Sequence, residues 1–107
     1  MTKQEQFIHR LEQLYKNNVD ISRAKNADYA GEEDPFKNFK GSEMYGISAE
    51  QAILVRMGDK VMRISNLLKR DAKVSDESIL DTCSDLANYA MILRMYIETK
   101  MDTDISV

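Results

Sequence analysis

Glu77, Asp81 and Asp85 stand four residues apart in the stretch DESILDTCSDLANYA, which runs from Asp76 to Ala90. On a helix that spacing stacks three carboxylates in one column. Like charges so placed cost a few tenths of a kcal/mol per pair unless something offsets them. A divalent metal, a cationic neighbour or water would each do so. With Asn88, the acids fall within about 80° of helical arc at 100° per residue. Taken alone, such a column reads as a solvated face.

A second stretch changes that balance. In RMGDKVMRISNL, Arg56, Asp59, Lys60 and Arg63 share a narrow arc along the edge of an apolar stripe. Charges bordering a buried stripe line an interface or a groove. Two chemistries fit. The acids and bases of the two helices could form interhelical ion pairs, which contribute about 0–1 kcal/mol each when exposed. Alternatively, the cations hold phosphates while Asp59, Glu77, Asp81 and Asp85 hold a metal or a nucleobase amine.

A third set lies between them and the N-terminal region: Lys25, Asn26, Asp28 and Tyr29, then Asn38 and Phe39. Rings that stack on a base, beside groups that read its edge, suit a nucleotide; Asn88 and Tyr89 extend that set. The competing reading makes Tyr29 and Phe39 core anchors, and for Phe39 it is the stronger. There is no phosphate loop of the GxxxxGKS type. The chain holds one histidine, His9, and one cysteine, Cys83. That argues against a nucleophilic triad, a zinc cluster and any intrachain disulfide. Cys83, among Ile79, Leu80 and Leu86, reads as a small core residue, and His9 as a surface residue.

Helices must position these groups. Residues 2 to about 27 contain no Gly or Pro, and Phe7, Ile8, Leu11, Leu14, Tyr15 and Val19 recur at helical spacing. Residues 28–47 read as a long ordered connection, with Tyr29, Phe36, Phe39, Met44 and Tyr45 as apolar anchors. Ser48 and Gln51 form a capping box that opens a second helix, with Ile53, Met57, Val61, Ile64 and Leu68 as its inner stripe. Gly58 inside it suggests close packing. Ser75 or Asp76 caps a third helix to about Lys100, with Ile79, Leu80, Cys83, Leu86, Ala87, Ala90 and Leu93 facing inward. The expected fold is all-α: one domain over 1–100 and a flexible tail at 101–107. Three long helices leave Met91, Ile92, Met95, Tyr96 and Ile97 over, so the antiparallel bundle is expected to be completed by a homodimer or higher homo-oligomer.

Composition sets outer bounds. The 107 residues are 43% hydrophobic and 31% charged, as in a globular domain. A net charge of −3 argues against binding a DNA or RNA polymer, though not against a local basic pocket. No apolar run approaches the roughly 20 residues that span a bilayer, and MTKQEQFIHR lacks a signal peptide's apolar stretch. A cytoplasmic protein without a membrane partner is expected.

Taken in order, KNADYAG, NF, GIS, RMGDKVMRISNL and DESILDTCSDLANYA resemble the nucleotide-modification-associated domain family common in phage genomes. That family is similar to the all-α NTP pyrophosphohydrolase (MazG-like) superfamily. The likeness covers about Lys25 to Tyr96. In the superfamily, acidic motifs on two helices bind magnesium, which orients a nucleoside triphosphate for cleavage between its α- and β-phosphates. The resemblance implies that Asp85 matches the second motif's Asp, with Asp81 near its Glu. Where the first motif has three acids, this chain has Asp59, Lys60 and Arg63. Two cations in place of acids remove metal ligands and add phosphate ligands. The expectation is a cytoplasmic protein of a phage-infected bacterium that sequesters a nucleotide or nucleotide-derived immune signal, cyclic ones included, without cleaving it. Magnesium would then be compatible but not required. The alternatives are a magnesium-dependent pyrophosphohydrolase and a structural interaction module.

Overall fold

The computed structural model describes residues 1–29, 34–70 and 76–101, except the side chains of 26–29, 76 and 77. Every regular element among them is helical. None of these helices is long and apolar enough to cross a membrane. The chain divides into two compact units, Met1–Pro35 and Phe36–Val107.

The first unit is one long helix, α1 (Lys3–Tyr29). Thr2 starts it: the Glu5 amide donates to the Thr2 hydroxyl (3.1 Å), and the Thr2 amide donates to the Glu5 carboxylate (3.0 Å). The Thr2 amide foremost, and then the Thr2 hydroxyl, hold the Glu5 carboxyl below its ordinary value. The helix carries Phe7, Ile8, Leu11, Leu14, Tyr15 and Val19 exposed. His9 is a surface residue, as its position suggests.

The second unit begins with two short helical pieces where a connection was expected: α2 (Lys37–Lys40) and a 3₁₀ turn (Gly41–Tyr45). The turn closes on Gly46, whose φ of 76° is left-handed and suits a residue without a Cβ. Ser42 ties the piece together by donating its hydroxyl to the Phe39 carbonyl at 2.7 Å. Of the five expected anchors, Phe39 is buried and Phe36 half-buried, while Met44 and Tyr45 are exposed. Tyr29's side chain lies outside the described residues.

Helix α3 (Ala49–Leu68) starts on the expected capping box, with Gln51 N–H donating to Ser48 Oγ at 3.1 Å. Helix α4 spans Asp76–Met101. The two pair antiparallel, since Glu50 meets Lys100, Lys60 meets Asp85 and Arg63 meets Ser78. Their core is small: Phe39, Ala49, Ile53 and Tyr96, bordered by Phe36, Met57, Tyr89, Ile92 and Leu93.

Several inward assignments are corrected. Val61 (52%) and Leu68 (71%) are exposed, because they lie about 60–80° around α3 from Ile53. With Leu54 (53%) they form an exposed apolar column at intervals of seven residues. Gly58 is not close-packed: an added Cβ would meet nothing within 4 Å. On α4, Leu80 and Cys83 are exposed. The inward line is instead Thr82, Tyr89 and Tyr96, again at intervals of seven. Tyr96 and Ile92, assigned to a partner subunit by the sequence, belong to this core. The expected tail beyond Met101 lies outside the described residues.

Candidate anion-binding groove

One flank of α3 carries Arg56 and Arg63 seven residues apart, interleaved with Asp59 and Asn66, and Arg70 follows just past the helix's end. Residues seven apart differ by only about 20° on a helix, so Arg56 and Arg63 share one column. It lies roughly opposite the apolar column of Leu54, Val61 and Leu68. The polar flank and the start of α4 enclose an open groove of about 580 Å³. Asp59, Lys60, Arg63, Asn66, Arg70 and Ser78 supply its polar lining, and Met62 and Leu67 its apolar one. The volume lies within the range of small-ligand sites, about 300–1,000 Å³.

The two inner cations are held differently. Lys60 Nζ lies 3.3 Å from Asp85 Oδ2, a partly exposed ion pair between the helices. Arg63 instead meets two neutral hydroxyls. Its Nε donates to Thr82 Oγ1 at 3.3 Å and its Nη2 to Ser78 Oγ at 2.9 Å. Thr82 is only 3% exposed and donates its own proton to the Ser78 carbonyl at 2.6 Å. Its oxygen lone pairs are thereby left for Arg63. The guanidinium charge has no carboxylate partner among the described residues.

The expected site residues separate into groups. Asp59, Lys60 and Arg63 share the groove, and Asp85 joins them through Lys60. Arg56 is instead stacked over the Phe39 ring, 5.3 Å from its centroid. Phe39 in turn meets Tyr89 edge-on, with centroids 6.3 Å apart. This makes Phe39 the core anchor that the stronger reading expected. Asn38 is exposed on α2, Asn88 half-buried on α4, and Asp81 exposed on α4. Lys25 is exposed on α1, in the first unit. The side chains of Asp28, Tyr29 and Glu77 lie outside the described residues.

Sequence reasoning missed Ser78, Thr82, Asn66 and Arg70. The seven-residue recurrence of arginine was the available signal for Arg70. The four-residue separation of Ser78 and Thr82, on the helix already suspected, was the signal for the hydroxyl pair.

Magnesium takes several hard oxygen ligands in near-octahedral geometry. Among the described residues, no three His, Cys, Asp or Glu side chains converge as a metal site. The groove lining presents one carboxylate, Asp59, beside three cations. Among the described side chains that lining is mainly cationic, while the side chains of Asp76 and Glu77, at the start of α4, lie outside them.

A second charged cluster lies where the N-terminus of α3 meets the C-terminus of α4. Lys100 Nζ is 3.0 Å from Glu50 Oε2 and 5.3 Å from the Tyr96 ring centroid. The Lys100 hydrogen bond holds the Glu50 carboxyl below its ordinary value, and the same bond raises Lys100. Glu50 Oε1 is buried without a hydrogen-bond partner among the described residues.

In comparisons with known proteins, no protein-family model matches the chain, and neither a curated protein nor a solved structure matches it.

Proposed function

We propose that this chain binds a nucleotide or nucleotide-derived signal in the α3–α4 groove and sequesters it without cleaving it. The observation that carries the reading is Arg63. Neutral hydroxyls fix it in a groove that Arg70 also lines, so its charge is left for a ligand. Asn66 and Ser78 add neutral polar groups to the same lining. Cleavage of the MazG-like type would need acids to gather metal, and Lys60 and Arg63 work against that. The reading keeps the resemblance to the phage nucleotide-modification-associated family, and with it a cytoplasmic location in the bacterial host.

The same reading makes the molecule a homodimer or higher homo-oligomer that completes an antiparallel bundle. Its support is apolar surface: the Leu54–Val61–Leu68 column on α3, with Met91 and Met95 exposed on α4. The groove's charged residues lie on the other flank of α3, so both faces can be used at once.

The test is recovery of ligand. The purified protein is incubated with a panel of linear and cyclic nucleotides, washed and denatured, and the released material is identified by mass. Intact nucleotide retained in stoichiometric amount is expected. Rapid pyrophosphate release would establish the hydrolase instead. Absence of any binding at millimolar concentration would leave the interaction module.

A further inference from the structure

The way Arg63 is held carries a more specific conclusion, which rests on the anion-groove reading above. A guanidinium has five N–H donors in a fixed plane. Nε–H and one Nη2–H lie parallel along one edge. A second parallel pair, from Nη1 and Nη2, lies at the end. In this protein the side edge is engaged: Nε by Thr82 Oγ1 and Nη2 by Ser78 Oγ. The two acceptors are one helical turn apart on α4, on the same face, so one guanidinium reaches both. Thr82 cannot turn away, because its proton is committed to the Ser78 carbonyl. Its near-complete burial strengthens a bond to a charged donor. The end edge has no engagement among the described residues, and Arg63 lines the groove.

We propose that Ser78 and Thr82 are positioning residues, which hold Arg63 by its side edge so that its end edge receives two oxygens of a phosphate or pyrophosphate group. Lysine could not replace Arg63, since an ammonium has no second edge to present. Neutral acceptors are required for the same reason: a carboxylate at residue 78 or 82 would orient Arg63 equally well but cancel its charge.

The test titrates inorganic pyrophosphate into the full chain by calorimetry, with thermal unfolding recorded for each variant. The Nε–H resonance of Arg63 is followed by nuclear magnetic resonance. Thr82→Val should weaken binding about tenfold, the equivalent of about 1.4 kcal/mol. Thr82→Ser, which keeps the hydroxyl, should stay within about twofold, well under that energy. Arg63→Lys should bind no better than Thr82→Val. The Nε–H signal should shift on adding pyrophosphate to wild type and Thr82→Ser, and should broaden away in Thr82→Val. Should Thr82→Val fail to fold, Ser78→Ala and the Arg63 resonance decide. If Thr82→Val and Ser78→Ala bind like wild type while Arg63→Ala does not bind, the positioning roles are overturned and the groove reading stands. If wild type binds no pyrophosphate at millimolar concentration, both are overturned.

Discussion

The α3–α4 hairpin carries a cation bridging its helices at each end, and the two are satisfied in opposite ways. Lys100 meets a carboxylate, Glu50, and lies over the Tyr96 ring. Among the described residues, Arg63 meets hydroxyls, from Ser78 and Thr82. The first arrangement closes its own charge account. The second fixes the direction of a charge and leaves its magnitude intact. A protein that wanted only helix pairing would gain as much from the first at both ends. The difference separates a closed ion pair from a cation held by neutral groups, which is the basis of the proposed anion site.

Four experiments can break or sharpen that contrast. The largest effect is expected at the clamped end. Tyr96→Ala removes a buried ring that meets Phe36 edge-on with centroids 5.2 Å apart. It should cost about 3 kcal/mol of stability, read from denaturant unfolding. At the Arg63 end, the proposed site predicts that Arg63→Ala lowers affinity for pyrophosphate at least about tenfold by calorimetry. Its thermal midpoint should fall much less than that of Tyr96→Ala.

On the apolar flank of α3, Val61→Glu should reduce the mass seen by sedimentation to that of the monomer, with helix content kept. An unchanged mass would remove that column from any interface. The smallest effect is expected from the clamp's charges, because Lys100 is exposed and Glu50 only partly buried, so solvent screens the pair. Glu50 is held below its ordinary 4.5, so its contribution is present above that value and is lost as pH falls through the lowered one. Lys100 is raised above 10.5, so its contribution is present below that value and is lost as pH rises through the raised one. Between 4.5 and 10.5 the pair's contribution to the thermal midpoint should be flat, with small declines on either side. Glu50→Gln should flatten the acid decline.

Helix limits were legible in the sequence, because caps and breakers act locally. Ser48 and Gln51 announce the start of α3, and the first long stretch without Gly or Pro became α1. Which face of α4 points inward was not legible. An apolarity pattern counts Thr82 as polar and Tyr96 as surplus. Thr82 goes inside because its own helix accepts its proton and Arg63 supplies a donor, so burial costs it no hydrogen bond. Of the groove's charged residues, Asp59, Lys60 and Arg63 were visible from arcs and spacing, as was Asp85, which pairs with Lys60, whereas Arg70 was not. The hydroxyl pair, Ser78 and Thr82, left only a weak trace, its four-residue spacing, because serine and threonine show their role only when a partner helix faces them.

The hairpin's cross-links also differ in how much chain they enclose. Arg63 reaches Ser78 and Thr82 across 15 and 19 residues, whereas Glu50 and Lys100 are 50 apart. Short loops close at lower entropic cost. The bonds that aim Arg63 can therefore form as soon as the two helices first meet, and the hairpin then zips toward Lys100. In kinetic terms, Thr82→Val should slow folding, while Lys100→Met should mainly speed unfolding. The two rates would show whether the short-range links at Arg63 close before the long-range one at Lys100.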